Sequence, residues 1–280
     1  MNIMIRLLAA AVVLALAAPS GAQNLPDRVK REGKIIVATM SNYPPICYKD
    51  PATNQLTGFD IDLGEAIAKE LGVKLQWEET AFAQVFSSLA TGRVDMALIG
   101  ISDYPSRRDV ADFVDYMRNG AQFYTLQSRA NDIKTTDDLC GKTVGASRNT
   151  SWPKQIEEWS AANCVAKGKP AIKVVGTEGS ADARTQLKSG RLDAAVQGNE
   201  TLPYFQKLEP NTYVIIGKPF TEDIVGLPVS KKEPQLRDAV KGAIERLQAK
   251  GIYDQLLEKY GLQSSKYTPV AINQGKEGFS

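Results

Sequence analysis

From Lys34 onward, short unbroken apolar runs alternate with stretches in which apolar residues recur every three or four positions. Lys34 to Thr39 (KIIVAT) is a run of the first kind and predicts a buried strand, ended by the polar, proline-rich stretch Ser41 to Asp50. From Asp62, residues Leu63, Ala66, Ile67 and Leu71 fall at helical spacing, with Gly72 as the stop. Val73, Leu75 and Trp77 alternate as a strand, Phe82, Val85, Phe86 and Leu89 mark a helix closed at Gly92, and Val94 to Ile99 is apolar again. This order predicts a mostly parallel sheet with helices on its faces.

The second half repeats the pattern. Strands are predicted at Lys142 to Ala146, Ile172 to Val175 and Leu192 to Val196, with helices at Pro153 to Ala162 and Ala181 to Lys188. LATGRVDMALIG (Leu89 to Gly100) aligns with LKSGRLDAAVQG (Leu187 to Gly198), with Leu, Gly, Arg, Asp, Ala and Gly in register. Two similar α/β lobes follow. Leu236 to Ala249 and Ile252 to Tyr260 read as helices, and Gly261 to Ser280 as a polar, partly frayed tail.

Before Lys34, Arg6 precedes an apolar run from Leu7 to Ala18 and the small residues Ser20 and Ala22, the three regions of a secretory signal peptide. Residues 1–22 are read as that signal. Cleavage after Ala22 would leave Gln23 first, so no lipid anchor is expected. An exported protein meets an oxidising compartment, where disulfides persist. Cys140 and Cys164 both flank turn-like sequence, and their bridge would close a loop of about 25 residues, worth roughly 3 kcal/mol in the chain-entropy model. Cys47 reads as a small buried apolar residue.

Composition narrows the chemistry. The 280 residues are 43% hydrophobic and 24% charged, with 34 Lys and Arg against 32 Asp and Glu, so there is length for a bilobal unit and no basic footprint for nucleic acid. Histidine is absent, which excludes Ser-His-Asp and Cys-His catalysis and imidazole zinc sites. No metal or cofactor is expected.

In open α/β sheets ligands bind beyond the carboxyl ends of strands, where Gly100 and Gly198 stand at equivalent places; each either brings backbone close to a ligand or simply ends a strand. Ser102 follows, and Pro105 places Arg107 in the first turn of a short helix, where a cation needs an anionic partner such as a ligand carboxylate. Arg108 reads as a surface residue paired with Asp109 or Asp112. Ser147, Arg148, Asn149, Thr150 and Ser151 precede Trp152 and Pro153, offering hydroxyls and helix-terminal amides, with Ser151 also readable as an N-cap. Tyr43 and Phe82 could clamp a ligand or belong to the core.

With LTGFDIDLGEAIAKELG (Leu56 to Gly72), SLATGRVDMALIGISDYPSRR (Ser88 to Arg108), LCGKTVGA (Leu139 to Ala146) and LRDAVKGAIERLQAKGIYDQLLEKYG (Leu236 to Gly261), the chain resembles the family 3 extracellular solute-binding proteins, receptors of polar amino acid ABC transporters. The resemblance covers about Leu25 to Leu262. It implies a two-lobed periplasmic-binding-protein fold, with lobe 1 at residues 25–120 and 218–262, lobe 2 at 121–217, and a polar tail at 263–280. It also implies a periplasmic monomer that closes on an amino acid or related carboxylate and docks on a permease. By the same resemblance Tyr43 and Phe82 stack on the ligand, Ser102, Arg107 and the Gly100 backbone hold its carboxylate, and Thr150 and Ser151 donate from lobe 2. Where such receptors place an Asp for the ligand ammonium, this chain has Gly198, then Asn199 and Glu200. The alternative on the same scaffold is a cyclohexadienyl or arogenate dehydratase, which needs a general acid; Glu200 is the nearby candidate.

Overall fold

The computed structural model describes residues 25–276, so the signal reading of residues 1–22 lies outside the described residues. Two sheets carry the fold. The first runs Lys266–Ile272, Ala111–Asn119, Asp223–Ser230, Met96–Ala97, Lys34–Thr39, Lys74–Glu79 across its width. The second runs Lys173–Thr177, Thr143–Ser147, Ala194–Gly198, Ala121–Leu126, Tyr213–Ile216. In each, the strands expected from the apolar runs pair in parallel, and the remainder pair antiparallel. The architecture is thus the expected two-lobed α/β fold, with mixed sheets.

The helices follow the predicted periodicity with small shifts at their starts. Phe59–Leu71 begins three residues before Asp62 because Phe59 and Ile61 are buried with Leu63, Ile67 and Leu71. Gly72 ends it at φ 71°, a conformation open to glycine, and donates to the Ala68 and Lys69 carbonyls. Val94 to Ile99 pairs over Met96–Ala97 alone, although Val94, Leu98 and Ile99 are all buried. A short helix, Asp27–Glu32, and a three-stranded antiparallel sheet, Asn42–Tyr43 with Cys47–Lys49 and Leu56–Thr57, were not anticipated.

The internal repeat has a structural explanation. Asp95 donates its N–H to the Ile36 carbonyl at 2.8 Å and accepts the Ile36 N–H on Oδ2 at 2.7 Å. Asp193, its counterpart, donates to the Thr143 carbonyl and accepts the Thr143 N–H, both at 2.9 Å. Each also holds an arginine, Arg28 and Arg129, and each is preceded by a glycine at φ 73°, Gly92 and Gly190. The repeated residues pin a strand to its parallel neighbour.

The chain passes between the sheets twice. Ala111–Asn119 continues through Gly120 into Ala121–Leu126, and Tyr213–Ile216 returns through residues 217–222 into Asp223–Ser230. The passages lie side by side: a Cβ on Gly120 would sit 2.1 Å from the Thr221 carbonyl oxygen. Leu25 to Met117 and Val225 to Val270 contribute one apolar core; the residues between contribute two smaller ones.

The frayed-tail expectation is corrected. Lys266–Ile272 pairs antiparallel with Ala111–Asn119, because Ala111–Asn119 would otherwise leave an unpaired edge. Beyond it, Gln274 N–H donates to Asp115, Gly275 N–H donates to Asp103, and the Gly275 carbonyl accepts from Arg108. A Cβ on Gly275 would stand 1.9 Å from the Asp103 carbonyl oxygen.

Cys140 and Cys164 form the expected disulfide, with Cα atoms 5.5 Å apart, while Cys47 is a buried thiol. With 24 residues of sequence separation, reduction should cost about 3 kcal/mol of unfolding free energy. Urea denaturation with and without reductant, or of Cys140→Ser/Cys164→Ser, checks this; a change under about 1 kcal/mol would contradict the loop-entropy account.

Candidate functional site

A cleft of about 430 Å³ opens between the sheets. One wall comes from the segment around Tyr43, the loop at Phe82 and the segment from Gly100 to Arg107; the other comes from Ser147 to Trp152, Thr177 to Ser180, and Gln197. Both walls lie where parallel strands end, and the mixed sheets bring those ends face to face.

Tyr43, Phe82, Gly100, Ser102, Arg107, Ser147, Thr150 and Ser151 all line this cleft. Their local settings differ in part from expectation. Pro105–Arg107 is a single 3₁₀ turn, too short for a helix dipole to act on Arg107. The Arg107 guanidinium instead lies over the Tyr104 ring, 4.8 Å from its centroid, and 5.8 Å from that of Phe82, and donates to the Ser102 carbonyl at 2.7 Å. This stacking orients its planar fork in the wall. Arg108 pairs with Asp103 through two 2.7 Å hydrogen bonds rather than with Asp109 or Asp112; Asp112 is taken by Arg237.

Gly100 adopts φ 62°, and a Cβ there would press on Ile46 and Tyr43 at 3.1 Å. Its N–H donates to Asp60 Oδ2 at 2.8 Å, so that amide is spent inside the wall. On the opposite side Thr150 donates to the Ser147 carbonyl at 2.7 Å, and its oxygen accepts the Trp152 N–H at 3.3 Å. Ser151 does not cap the helix Trp152–Asn163. Its hydroxyl reaches Tyr104 Oη at 3.2 Å and donates to Gln155 Oε1 at 3.4 Å, tying the two walls together.

Gly198, Asn199 and Glu200 are not in the cleft wall, which corrects their assignment as contacts. Asn199 clasps Gly120, accepting its N–H at 2.7 Å and donating to its carbonyl at 2.9 Å. Glu200 is 6% exposed; its Oε1 accepts from the Tyr43 hydroxyl at 2.7 Å and from Asn119 Nδ2 at 3.1 Å. A Cβ on Gly198 would fall 2.2 Å from Glu200 Oε1. The absence of a side chain at 198 is therefore what admits the Glu200 carboxylate behind Tyr43.

Sequence reasoning missed Asp60, Asp223 and Gln197. Asp60 is fully buried; burial pushes its carboxyl up to about 7, against the hydrogen bonds from Tyr116 and Gly100 that pull it down. Burial likewise raises Glu200, opposed by Tyr43 and Asn119. Asp223 is raised by burial too, opposed by Tyr104 and Thr221. Gln197, in the wall, is 1% exposed. Among the described residues no cluster of His, Cys, Asp and Glu could hold a metal.

The model of the bacterial extracellular solute-binding proteins, family 3, matches residues 35–263. The L-cystine-binding protein TcyJ of Escherichia coli K12 is 28% identical over 255 residues, covering 90% of this chain and 92% of that protein. An ancestral arginine-binding protein bound to arginine superposes with a TM-score of 0.73 at 30% identity, over 81% of this chain and 98% of that one. The ancestral amino acid-binding protein AncCDT-1, a precursor of cyclohexadienyl dehydratase, gives 0.72 at 31% identity, over 84% and 98%.

Two outcomes are expected. Gly198→Ala should push Glu200 off Tyr43 and cost about 1 to 3 kcal/mol, most of it recovered in Gly198→Ala/Glu200→Gly relative to Glu200→Gly alone; a double-mutant cycle by urea denaturation reads the coupling. Asp60 has a folded-state pKa above its unfolded value near 3.9. The folded protein holds a proton the unfolded chain releases, so this contribution is full below about pH 4 and is lost as pH rises through about 7. Its slope is at most about 1.4 kcal/mol per pH unit. Asp60→Asn should flatten the fall in stability between pH 5 and 8.

Proposed function

Because the chain belongs to the bacterial extracellular solute-binding proteins, family 3, we propose that it is a periplasmic receptor that captures an amino acid or related small carboxylate and delivers it to an ABC transporter permease. The observation that carries the reading is Arg107, stacked in the cleft wall beside Ser102 and opposite Thr150 and Ser151. An arginine fork binds a carboxylate through two parallel hydrogen bonds, and the wall hydroxyls supply further donors. Similarity to cystine- and arginine-binding proteins supports an amino acid as the solute.

Lobe 1 is assigned to residues 25–120 and 218–262 with the following strand, and lobe 2 to 121–217. A ligand held by both would favour the closed arrangement, in which Tyr43 meets Glu200 and Tyr104 meets Ser151. The receptor is read as a monomer without catalytic chemistry: Glu200, the candidate general acid, stands behind Tyr43 and Asn119 rather than in the cleft wall.

Calorimetric titration with amino acids and small carboxylates tests the reading. At least one should bind, and Arg107→Ala should weaken it by about 2 to 5 kcal/mol, roughly 30-fold or more in Kd. Arg107→Lys should recover only part, since it keeps the charge and loses the fork. Binding indifferent to Arg107 would overturn the carboxylate assignment.

A further inference from the structure

Tyr104 is rooted beside one wall of the cleft and reaches the other. The following Pro105 holds it extended, at φ −119° and ψ 144°, and the Arg107 N–H donates to its carbonyl at 2.9 Å. A 3₁₀ turn brings residues three apart onto one side, which lays the Arg107 guanidinium over the Tyr104 ring. At the far end of that ring the hydroxyl meets three polar side chains. It donates to Asp223 Oδ1 at 2.7 Å, accepts from Gln155 Nε2 at 3.1 Å and lies 3.2 Å from the Ser151 hydroxyl. Asp223 lies on the first sheet, to which the loop of Tyr104 is tied by the Asp103 N–H on the Ile224 carbonyl at 2.8 Å. Ser151 and Gln155 stand at the start of the helix Trp152–Asn163, which packs on the second sheet. One side chain thus carries the Arg107 fork on its face and joins the two sheets at its tip.

Resting on the receptor reading above, we infer that Tyr104 is a positioning residue for the solute: its ring orients the Arg107 fork, its hydroxyl ties that fork to the opposite wall, and filling the fork is thereby coupled to bringing the walls together. The bond to Asp223 is made on one side of the cleft in either arrangement. The bonds to Gln155 and Ser151 cross it. With the walls apart, water replaces those two partners at little cost. With the walls together, Tyr104 and Gln155 are buried, and a residue lacking the hydroxyl leaves the Gln155 amide short of an acceptor. Losing the hydroxyl therefore weighs on the closed arrangement more than on the open one, and a solute held by both walls binds more weakly by that difference.

Calorimetry and stopped-flow binding on the full-length protein test this, with the standard amino acids, L-cystine and succinate as probes. The variants are Tyr104→Phe, Tyr104→Leu, Gln155→Leu, the double Tyr104→Phe/Gln155→Leu, and Tyr253→Phe. Tyr104→Phe keeps a ring under Arg107; it should weaken the tightest wild-type probe about 5- to 100-fold, chiefly through faster dissociation, and leave the order of affinities among probes unchanged. Gln155→Leu should weaken the same probe, and the double variant should bind little worse than the weaker-binding single, because both remove one cross-cleft bond. Tyr104→Leu, which also takes away the ring, should lose more than Tyr104→Phe. Tyr253→Phe removes a buried hydroxyl that donates to the Tyr116 carbonyl within the first core; it should lower the melting temperature with Kd unchanged, which separates coupling from general stability. Affinity within about twofold of wild type in Tyr104→Phe, penalties that multiply in the double variant, a Tyr104→Leu no weaker than Tyr104→Phe, or loss of the fold in both Tyr104→Phe and Gln155→Leu overturns the inference while the receptor reading stands. Binding of none of the probes to the wild type overturns the receptor reading and this inference with it.

Discussion

Two backbone passages squeezed against each other at Gly120 and Thr221 govern everything that happens in the cleft. No side chain fits between them, and the groups around the contact are tied in sequence. Ala121 N–H donates to the Thr221 hydroxyl, Thr221 donates to Asp223, and the Tyr104 hydroxyl donates to the other Asp223 oxygen. Tyr104 also meets Ser151 and accepts from Gln155. On the other flank Asn199 clasps Gly120, and its neighbour Glu200 takes the Tyr43 and Asn119 donors. The relative placement of the two walls is therefore set by a few hydrogen bonds radiating from one crowded point, and wall residues far apart in sequence are positioned by the same contact.

The buried acids around this point share a consequence. Burial displaces the carboxyls of Asp60, Glu200 and Asp223 upward, that of Asp60 to about 7, so each holds its proton more firmly than an exposed acid would. A tyrosine hydroxyl donates to each of the three, Tyr116 to Asp60, Tyr43 to Glu200 and Tyr104 to Asp223, and holds each carboxyl below where burial alone would put it.

Most of the parallel core was legible because its strands are short apolar runs or alternations and its first two helices, Phe59–Leu71 and Val85–Thr91, are apolar faces closed by glycine. Ala111–Asn119 was not, since Asp112, Asp115 and Arg118 interrupt its hydrophobic pattern. Asp112 and Asp115 make sense only with partners over a hundred residues away: Arg237 and Asn273 on Asp112, and the Gln274 amide on Asp115. Cleft residues such as Ser102, Arg107 and Thr150 could be found because they follow predicted strands directly. Glu200 stood out only as an acid near the end of its strand, and its burial depends on the empty Cβ position at Gly198. Asp60 sits in the first turn of its helix, where an exposed acid is commonplace; only the packing of Tyr116 and Gly100 over it makes it internal. Gln197 lay one residue beyond the last apolar position of its strand and gave no periodic signal.

The strap formed by residues 266–275 gives the protein an order of completion. It grips Asp103 and Arg108, immediately beside Ser102 and Arg107, so the loop that carries those two cleft residues is held by residues a ribosome adds after every other described element except Lys276. The two smaller cores, the larger one but for Val270, and both sheet crossings are built from residues that precede the strap. A chain clipped just short of Gly275 would have nearly all of that architecture while the loop at Ser102 and Arg107 lacks its clasp.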